Sequence, residues 1–104
     1  MAVEIYRISR NGNIGKDFGF CDQIRRAAVS IASNIAEGKE RETTPEFIRF
    51  LYIAKGSAGE LRTQLYIANQ IGYIEETKYL ELNSNVEQIS RMIGNLIKSL
   101  KKVR

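Results

Sequence analysis

Histidine and tryptophan are missing from this chain of 104 residues, and cysteine and proline occur once each. The absence of histidine removes the commonest general base and the commonest metal ligand of proteins. A single cysteine, Cys21, excludes an intramolecular disulfide bond and any zinc site that combines thiolates with imidazoles. A single proline leaves long stretches of chain in which a helix can continue without interruption.

Long apolar runs and phosphate-binding glycine motifs are also missing. No run approaches the roughly 20 apolar residues that cross a membrane, and the first residues lack the basic and apolar segments of a signal peptide. The stretch GSAG at residues 56–59 resembles a nucleophile elbow only superficially, because no histidine is available to activate the serine. We therefore expect a cytoplasmic protein without a membrane partner, a cofactor or a metal ion, and we predict that it is not an enzyme.

The overall composition is that of an ordinary folded domain. Hydrophobic residues make up 43% of the chain and charged residues 27%, which argues against disorder. The length suits one domain, residues 1–104, with one core. The net charge of +4 permits an anionic partner but does not require one.

Apolar or small residues recur with the period of a helix through the second half of the chain. Between residues 44 and 72 they are spaced alternately by four and three positions, at Phe47, Leu51, Ala54, Ala58, Leu61, Leu65 and Ala68. A second series has the same spacing, at Leu82, Val86, Ile89, Ile93, Leu96, Leu100 and Val103. Each series lies on one helical stripe, and two long helices joined by about four residues must lie antiparallel.

These patterns predict an all-α protein that folds as an antiparallel up-down four-helix bundle with a short first helix. Thr44 is a suitable cap and Pro45 a suitable first residue for the third helix. Gly38 and Gly72 are suitable ends for the second and third helices. The four helices are expected near residues 1–10, 21–37, 45–71 and 76–102.

Two glycines interrupt the good helix formers of the third helix. Gly56 and Gly59 each lower helix stability by about 1 kcal/mol relative to alanine. Because a glycine has no Cβ, this pair predicts the close approach of another helix.

Polar residues follow one stripe of the second helix and continue beyond it. The set comprises Arg26, Ser30, Asn34 and Glu37, then Arg41 in the connector, with Ser57 and Glu60 on the third helix. Three interpretations remain open: a solvated face with ion pairs, a semi-buried hydrogen-bond network that fixes the register of the helices, or a ligand site. If the network forms, we expect Arg26, Asn34 and Glu37 to bond with Ser57, Glu60 or neighbouring backbone.

Basic residues are concentrated towards the C-terminal end. From Gln88 onward there are five of them and no acidic residue: Arg91, Lys98, Lys101, Lys102 and Arg104. We hypothesise that these residues and Arg25 bind nucleic-acid phosphates, with Arg49, Lys55 and Arg62 as further candidates. The basic tail has few aromatic residues to stack on bases, so we expect little reading of sequence. Alternatively, the cluster complements the negative end of the last helix dipole.

Several runs of residues resemble the sequence pattern of a known family. The runs are DQIRRAAVSI at 22–31, NIAEG at 34–38, Arg41, and FLxIAxGSAxEL at 50–61. They resemble the bacterial four-helix-bundle family, whose members are also called 23S rRNA intervening-sequence proteins. The likeness covers about residue 18 to the C-terminus. The chain departs from the family pattern in its short first helix and in Cys21, where a threonine or serine cap is usual.

The resemblance implies an up-down four-helix bundle that often forms a ring-like homopentamer. It also implies kinship with the accessory variability protein of diversity-generating retroelements, a basic pentamer that associates with a reverse transcriptase and nucleic acid. Two functions therefore remain open from the sequence. One is an oligomeric accessory module that binds RNA or DNA, and the other is an oligomeric protein scaffold or adaptor.

Overall fold

The computed structural model describes residues 1–102, and these residues form four α-helices with no strand among them. The helices are α1 (Ala2–Ile8), α2 (Phe18–Lys39), α3 (Thr44–Gln70) and α4 (Glu76–Lys102), and a single 3₁₀ turn, Ile14–Lys16, lies between α1 and α2. The predicted all-α fold with a short first helix is confirmed. None of these four helices is long and apolar enough to cross a membrane.

The start of α2 lies three residues earlier than the sequence indicated. Asp17 is its N-cap, and the carboxylate accepts a hydrogen bond of 3.1 Å from the Phe20 amide. Cys21 is therefore one turn inside the helix, where its buried thiol donates to the carbonyl oxygens of Ser9 (3.3 Å) and Ile14 (2.9 Å). The predicted start at residue 21 was therefore wrong by three residues, because Asp17, a better capping acceptor than the thiol, determines where the helix begins.

The ends of α3 agree with the turn chemistry of the sequence to within one residue. Thr43, rather than Thr44, is the N-cap, and its hydroxyl accepts from the Glu46 amide at 3.3 Å. Pro45 lies in the first turn, as predicted. Gly72 follows the C-cap with a φ of +83°, a left-handed conformation that glycine adopts without strain.

The core is built around α3, which packs against α2 on one side and α4 on the other. The six positions from Leu51 to Ala68 in the predicted stripe of α3 are completely buried. In α4 the same holds for Leu82 and Val86, but Leu96 is 37% exposed. That difference arises because α1 is only seven residues long and packs on α2, so it covers only part of the apolar surface.

Three other glycines have different roles from those expected. Gly38 does not end α2; it is buried, and a Cβ there would lie 2.7 Å from Cδ1 of Phe47 and 3.0 Å from Cβ of Phe50. It therefore permits the close packing of α2 on α3. At Gly56 and Gly59 a Cβ would meet no atom within 4 Å, so the predicted close approach does not occur within residues 1–102.

Candidate nucleic-acid interface

A basic groove runs along the outer side of the bundle between α3 and α4. It encloses about 440 Å³, and its lining includes Lys55 and Arg62 from α3 and Arg91 and Lys98 from α4. The only acidic residue in the lining is Glu87. The structure therefore brings two basic residues of the C-terminal cluster together with two from the preceding helix, which were further candidates in the sequence.

The 4-3 periodicity of α4 explains why these side chains converge. Arg91, Gly94 and Lys98 are spaced by three and four positions, so they share a helical face that is distinct from the core stripe. Gly94 leaves room for the Lys55 side chain at the centre of the groove, because a Cβ there would lie 3.4 Å from Cε of Lys55. The aliphatic part of Lys55 thus reaches across α4 at the one position without a side chain.

The electrostatic balance of the groove is positive. Arg62 donates to Glu87 at 3.1 Å, and the Asn83 amide donates to the same carboxylate oxygen at 2.9 Å, so this acid is already engaged. Within residues 1–102, no ion pair involves Lys55, Arg91 or Lys98. These three cations are the ones that remain for an anionic partner.

The other predicted phosphate-binding residues lie in several places. Lys101 follows Lys98 on α4 but does not line the groove; its Nζ donates to the Tyr52 hydroxyl at 2.8 Å and lies 5.2 Å from the ring centre. Lys102 is exposed and is the last residue of α4. Arg104 lies outside the described residues.

Arg25 lies away from the groove and connects α2 to α1. Its Nε donates to the Ser9 hydroxyl at 2.8 Å, and one terminal nitrogen donates to the Ser9 carbonyl at 3.3 Å. The guanidinium also lies 4.8 Å from the centre of the Tyr6 ring, a cation–π distance. Through these contacts Arg25 holds the C-terminal end of α1 against α2.

Of the polar residues predicted to form a network, three meet between α2 and α3. The hydroxyls of Ser30 and Ser57 are 2.8 Å apart, and the Asn34 amide donates to the carbonyl and the hydroxyl of Ser30 at 2.8 and 2.9 Å. This cluster joins two helices through groups that are partly buried. It is the section of the predicted stripe that makes hydrogen bonds between α2 and α3.

The remaining polar residues form separate pairs within their own segments. The pairs are Arg26 with Asp22 (2.9 Å), Arg41 with Glu37, and Gln64 with Glu60 (3.4 Å). The first two are largely exposed ion pairs four residues apart. The structure therefore joins neither Arg26 nor Glu37 to Ser57 or Glu60, and the stripe combines a small half-buried cluster with a solvated face.

A second cavity, which we call the tyrosine pocket, adjoins the basic groove at Arg62. It encloses about 340 Å³ and is lined by Gly59, Arg62, Thr63, Tyr66, Tyr79 and Asn83. The rings of Tyr66 and Tyr79 pack edge to face with centres 6.4 Å apart. Sequence reasoning missed this pocket because it sought aromatic residues near the basic ones along the chain, whereas these two tyrosines come from different helices.

An apolar groove of about 550 Å³ lies on the opposite side, between α2 and α4. Leu51 lies in its lining, with Ile35 from α2 and Ile89, Met92 and Leu96 from α4. Met1 and Ala2 are also in the lining, so the N-terminal end of α1 opens directly onto the groove.

The short α1 is also held to α4 by charge. Lys78 donates to Glu4 at 3.0 Å. This hydrogen bond lowers the pKa of the Glu4 carboxyl, because it stabilises the ionised form. The same contact raises the pKa of the Lys78 ammonium. No cluster of three or more acidic or cysteine side chains that is suitable for a metal ion occurs in the described part of the chain.

Comparison with known proteins identifies the family. No curated protein matches the sequence. Among solved structures, the chain resembles a protein of unknown function from the S23 ribosomal protein family of Bacteroides thetaiotaomicron VPI-5482. The TM-score is 0.84 and the identity 29%, over 93% of this chain and 88% of the other. The family model for the 23S rRNA-intervening sequence protein matches residues 1–95. Since the match extends over most of its length, this chain belongs to the 23S rRNA-intervening sequence protein family.

Proposed function

We propose that this protein is a non-enzymatic, nucleic-acid-associated accessory module that binds the phosphate backbone through the basic groove between α3 and α4. The observation that carries the proposal is the convergence of Lys55, Arg91 and Lys98 around Gly94. Each of these cations can neutralise a phosphate, while the one acid in the lining is engaged by Arg62. Phosphate contacts of this kind position a protein on nucleic acid without reading sequence.

RNA is the first partner to test. The name of the family refers to 23S rRNA, and the matched structure carries the name of a ribosomal protein family. A single groove with three available cations binds weakly, and affinity rises when several copies present it together. We propose that the protein acts without a cofactor and in the cytoplasm.

Self-association is part of the proposal. The apolar groove between α2 and α4 is partly uncovered, and Met92 in its lining is 66% exposed. We propose that a second copy of this chain covers it, with a ring of five as the number that the family resemblance implies. Sedimentation at micromolar concentration tests this point, and a monomer would contradict it. The matched variants are Met92→Glu, which introduces a charge into the groove, and Leu80→Glu, on an exposed part of α4 outside it.

The second candidate function is an oligomeric scaffold that binds protein, such as a reverse transcriptase, without nucleic acid. The observation that favours it is the exposure of apolar side chains on one face of α3, where Ile53 is 46% and Ile67 42% exposed. Such patches mark protein contacts on many soluble proteins. The two functions differ in one measurable property, because only the first requires a steep dependence of binding on salt.

A charge-matched comparison tests the proposed function. One variant removes three groove cations (Lys55→Ala, Arg91→Ala, Lys98→Ala), and the control removes three cations that line neither the basic nor the apolar groove (Arg7→Ala, Arg10→Ala, Lys16→Ala). Binding of structured RNA and of duplex DNA is titrated at two salt concentrations. We expect the groove variant to bind more weakly and to lose up to about three units of salt slope, while the control changes little. Equal effects of the two variants would contradict a defined site, and wild-type protein without binding would leave the scaffold as the function.

A further inference from the structure

We infer that the tyrosine pocket takes an unpaired nucleobase, so that the ligand of this face is single-stranded nucleic acid rather than a duplex. The inference rests on the proposed function, because it assigns the adjoining basic groove to the phosphates of the same strand. The two cavities share Arg62, which lines both of them. A strand whose phosphates contact Lys98 and Lys55 therefore continues past Arg62 to the pocket.

The pocket has the parts that stacking requires. Tyr66 is 53% exposed, and Tyr79, which is half-buried and packed against the core, contacts its ring edge to face. The contact restrains the Tyr66 ring, so little side-chain freedom is lost when a base stacks on it. Every nucleobase has an aromatic face, so such stacking tolerates all four bases.

Space for the base comes from Gly59. It lies seven residues before Tyr66 on the same helix, about two turns away, and a Cβ at this position would meet no atom within 4 Å. The hydroxyl of Thr63 donates back to the Gly59 carbonyl at 3.2 Å, which leaves its lone pairs available as acceptors towards the pocket. The helix thus presents an open and mildly polar floor beneath the aromatic ring.

The order of the groups along α3 matches a strand that lies parallel to the helix. Lys55 and Tyr66 are eleven positions apart with Arg62 between them, which is about 16 Å along the axis. Arg62 donates to Asn83 at 3.4 Å and to Glu87 at 3.1 Å, and these bonds restrain its side chain. The basic groove for phosphates and the tyrosine pocket for a base therefore meet at a side chain of defined position. In a duplex the bases are stacked on each other and cannot enter the pocket, and only the groove remains for contact.

The test uses one RNA strand in three forms: alone, annealed to its complement, and with abasic sites. Affinities of the full chain and its variants are measured by fluorescence anisotropy at one moderate salt concentration. The critical variant is Tyr66→Ala; Tyr66→Phe keeps the aromatic ring. Ile67→Ala is the matched control, because Ile67 is 42% exposed on the same helix but lines neither cavity. Circular dichroism and urea unfolding verify that each variant is folded.

We expect wild-type protein to prefer the single strand, and Tyr66→Ala to weaken binding to it by on the order of tenfold. Binding to the duplex and to the abasic strand should change less than about twofold, and Tyr66→Phe and Ile67→Ala should resemble wild type. If Tyr66→Ala leaves single-strand binding unchanged, or weakens all three forms equally, the pocket holds no base while the proposed groove function stands. If removal of the three groove cations has no effect, or the wild type binds none of the probes, the proposed function itself fails.

Discussion

The phenol of Tyr73, in the turn between α3 and α4, donates a hydrogen bond of 2.7 Å to the carboxylate of Asp17, the N-cap of α2, across 56 residues of sequence. The other carboxylate oxygen accepts from the Phe20 amide, and the Phe20 and Tyr73 rings pack edge to face with centres 5.6 Å apart. One carboxylate therefore starts a helix and also attaches the α3–α4 corner to it.

This contact predicts two pH limits of stability. The hydrogen bond from Tyr73, with that from the Phe20 amide, lowers the pKa of Asp17 below its ordinary 3.8. A lowered carboxyl pKa stabilises the fold above pH 3.8, and that stability is lost as the pH falls through the folded value. The same bond raises the pKa of Tyr73 above its ordinary 10.0, so its contribution is lost as the phenol ionises at higher pH. We expect Tyr73→Phe to lower the melting temperature at neutral pH, and the difference from wild type to shrink at both extremes. A constant difference across the pH range would contradict the assignment.

Arg25 should affect stability rather than nucleic-acid binding. Its guanidinium makes two hydrogen bonds to Ser9 and contacts the Tyr6 ring. We expect Arg25→Ala to lower the free energy of unfolding by about 1–2 kcal/mol, because charged hydrogen bonds are lost from a partly buried site. Urea unfolding measures this change, and RNA affinity should remain within about twofold of wild type. Normal stability together with weak RNA binding would return Arg25 to the binding surface.

Asn34 and Glu37 lie on the same helix, but their removal should have different consequences. Asn34→Ala removes two donations to Ser30 beside the bond between Ser30 and Ser57, so we expect a loss of about 1–2 kcal/mol. Glu37 pairs with Arg41, and both side chains are substantially exposed, so Glu37→Ala should change stability by less than about 0.5 kcal/mol. Chemical denaturation of the two variants decides the matter. A larger loss at Glu37 would restore the single network that the sequence suggested.

Two glycine substitutions should act in opposite directions. A methyl group at Gly38 would lie 2.7 Å from the Phe47 ring, so Gly38→Ala should destabilise by about 1–3 kcal/mol as α2 and α3 are forced apart. Gly56 has open space, and Gly56→Ala should stabilise the subunit by about 0.5–1 kcal/mol through helix propensity. Both are measured by thermal and urea unfolding. If Gly56→Ala also reduces the sedimentation coefficient, the open face at Gly56 is a contact between copies, whereas a destabilised monomer would contradict the prediction.

Much of the fold followed from local rules. The 4-3 spacing in α3 and α4 identified the core stripes, because a helix places such residues on one face whatever surrounds it. Pro45 and Gly72 marked the limits of α3 to within a residue, since each satisfies a backbone requirement of a helix end. The α4 bounds, Glu76–Lys102, equal those predicted.

The candidate site was only half visible in the sequence, and the reason is physical. The basic cluster of α4 could be counted along the chain, but its meeting with Lys55, and the pairing of Tyr66 with Tyr79, depend on the register of two antiparallel helices. Composition does not encode register; side-chain packing between the helices sets it. For the same reason the contacts of Arg25 with Ser9 could not be predicted from the sequence. The sequence by itself determined the helices and their buried faces, whereas the tertiary structure decided which exposed side chains share a surface, because that depends on distances between elements rather than on spacing within one.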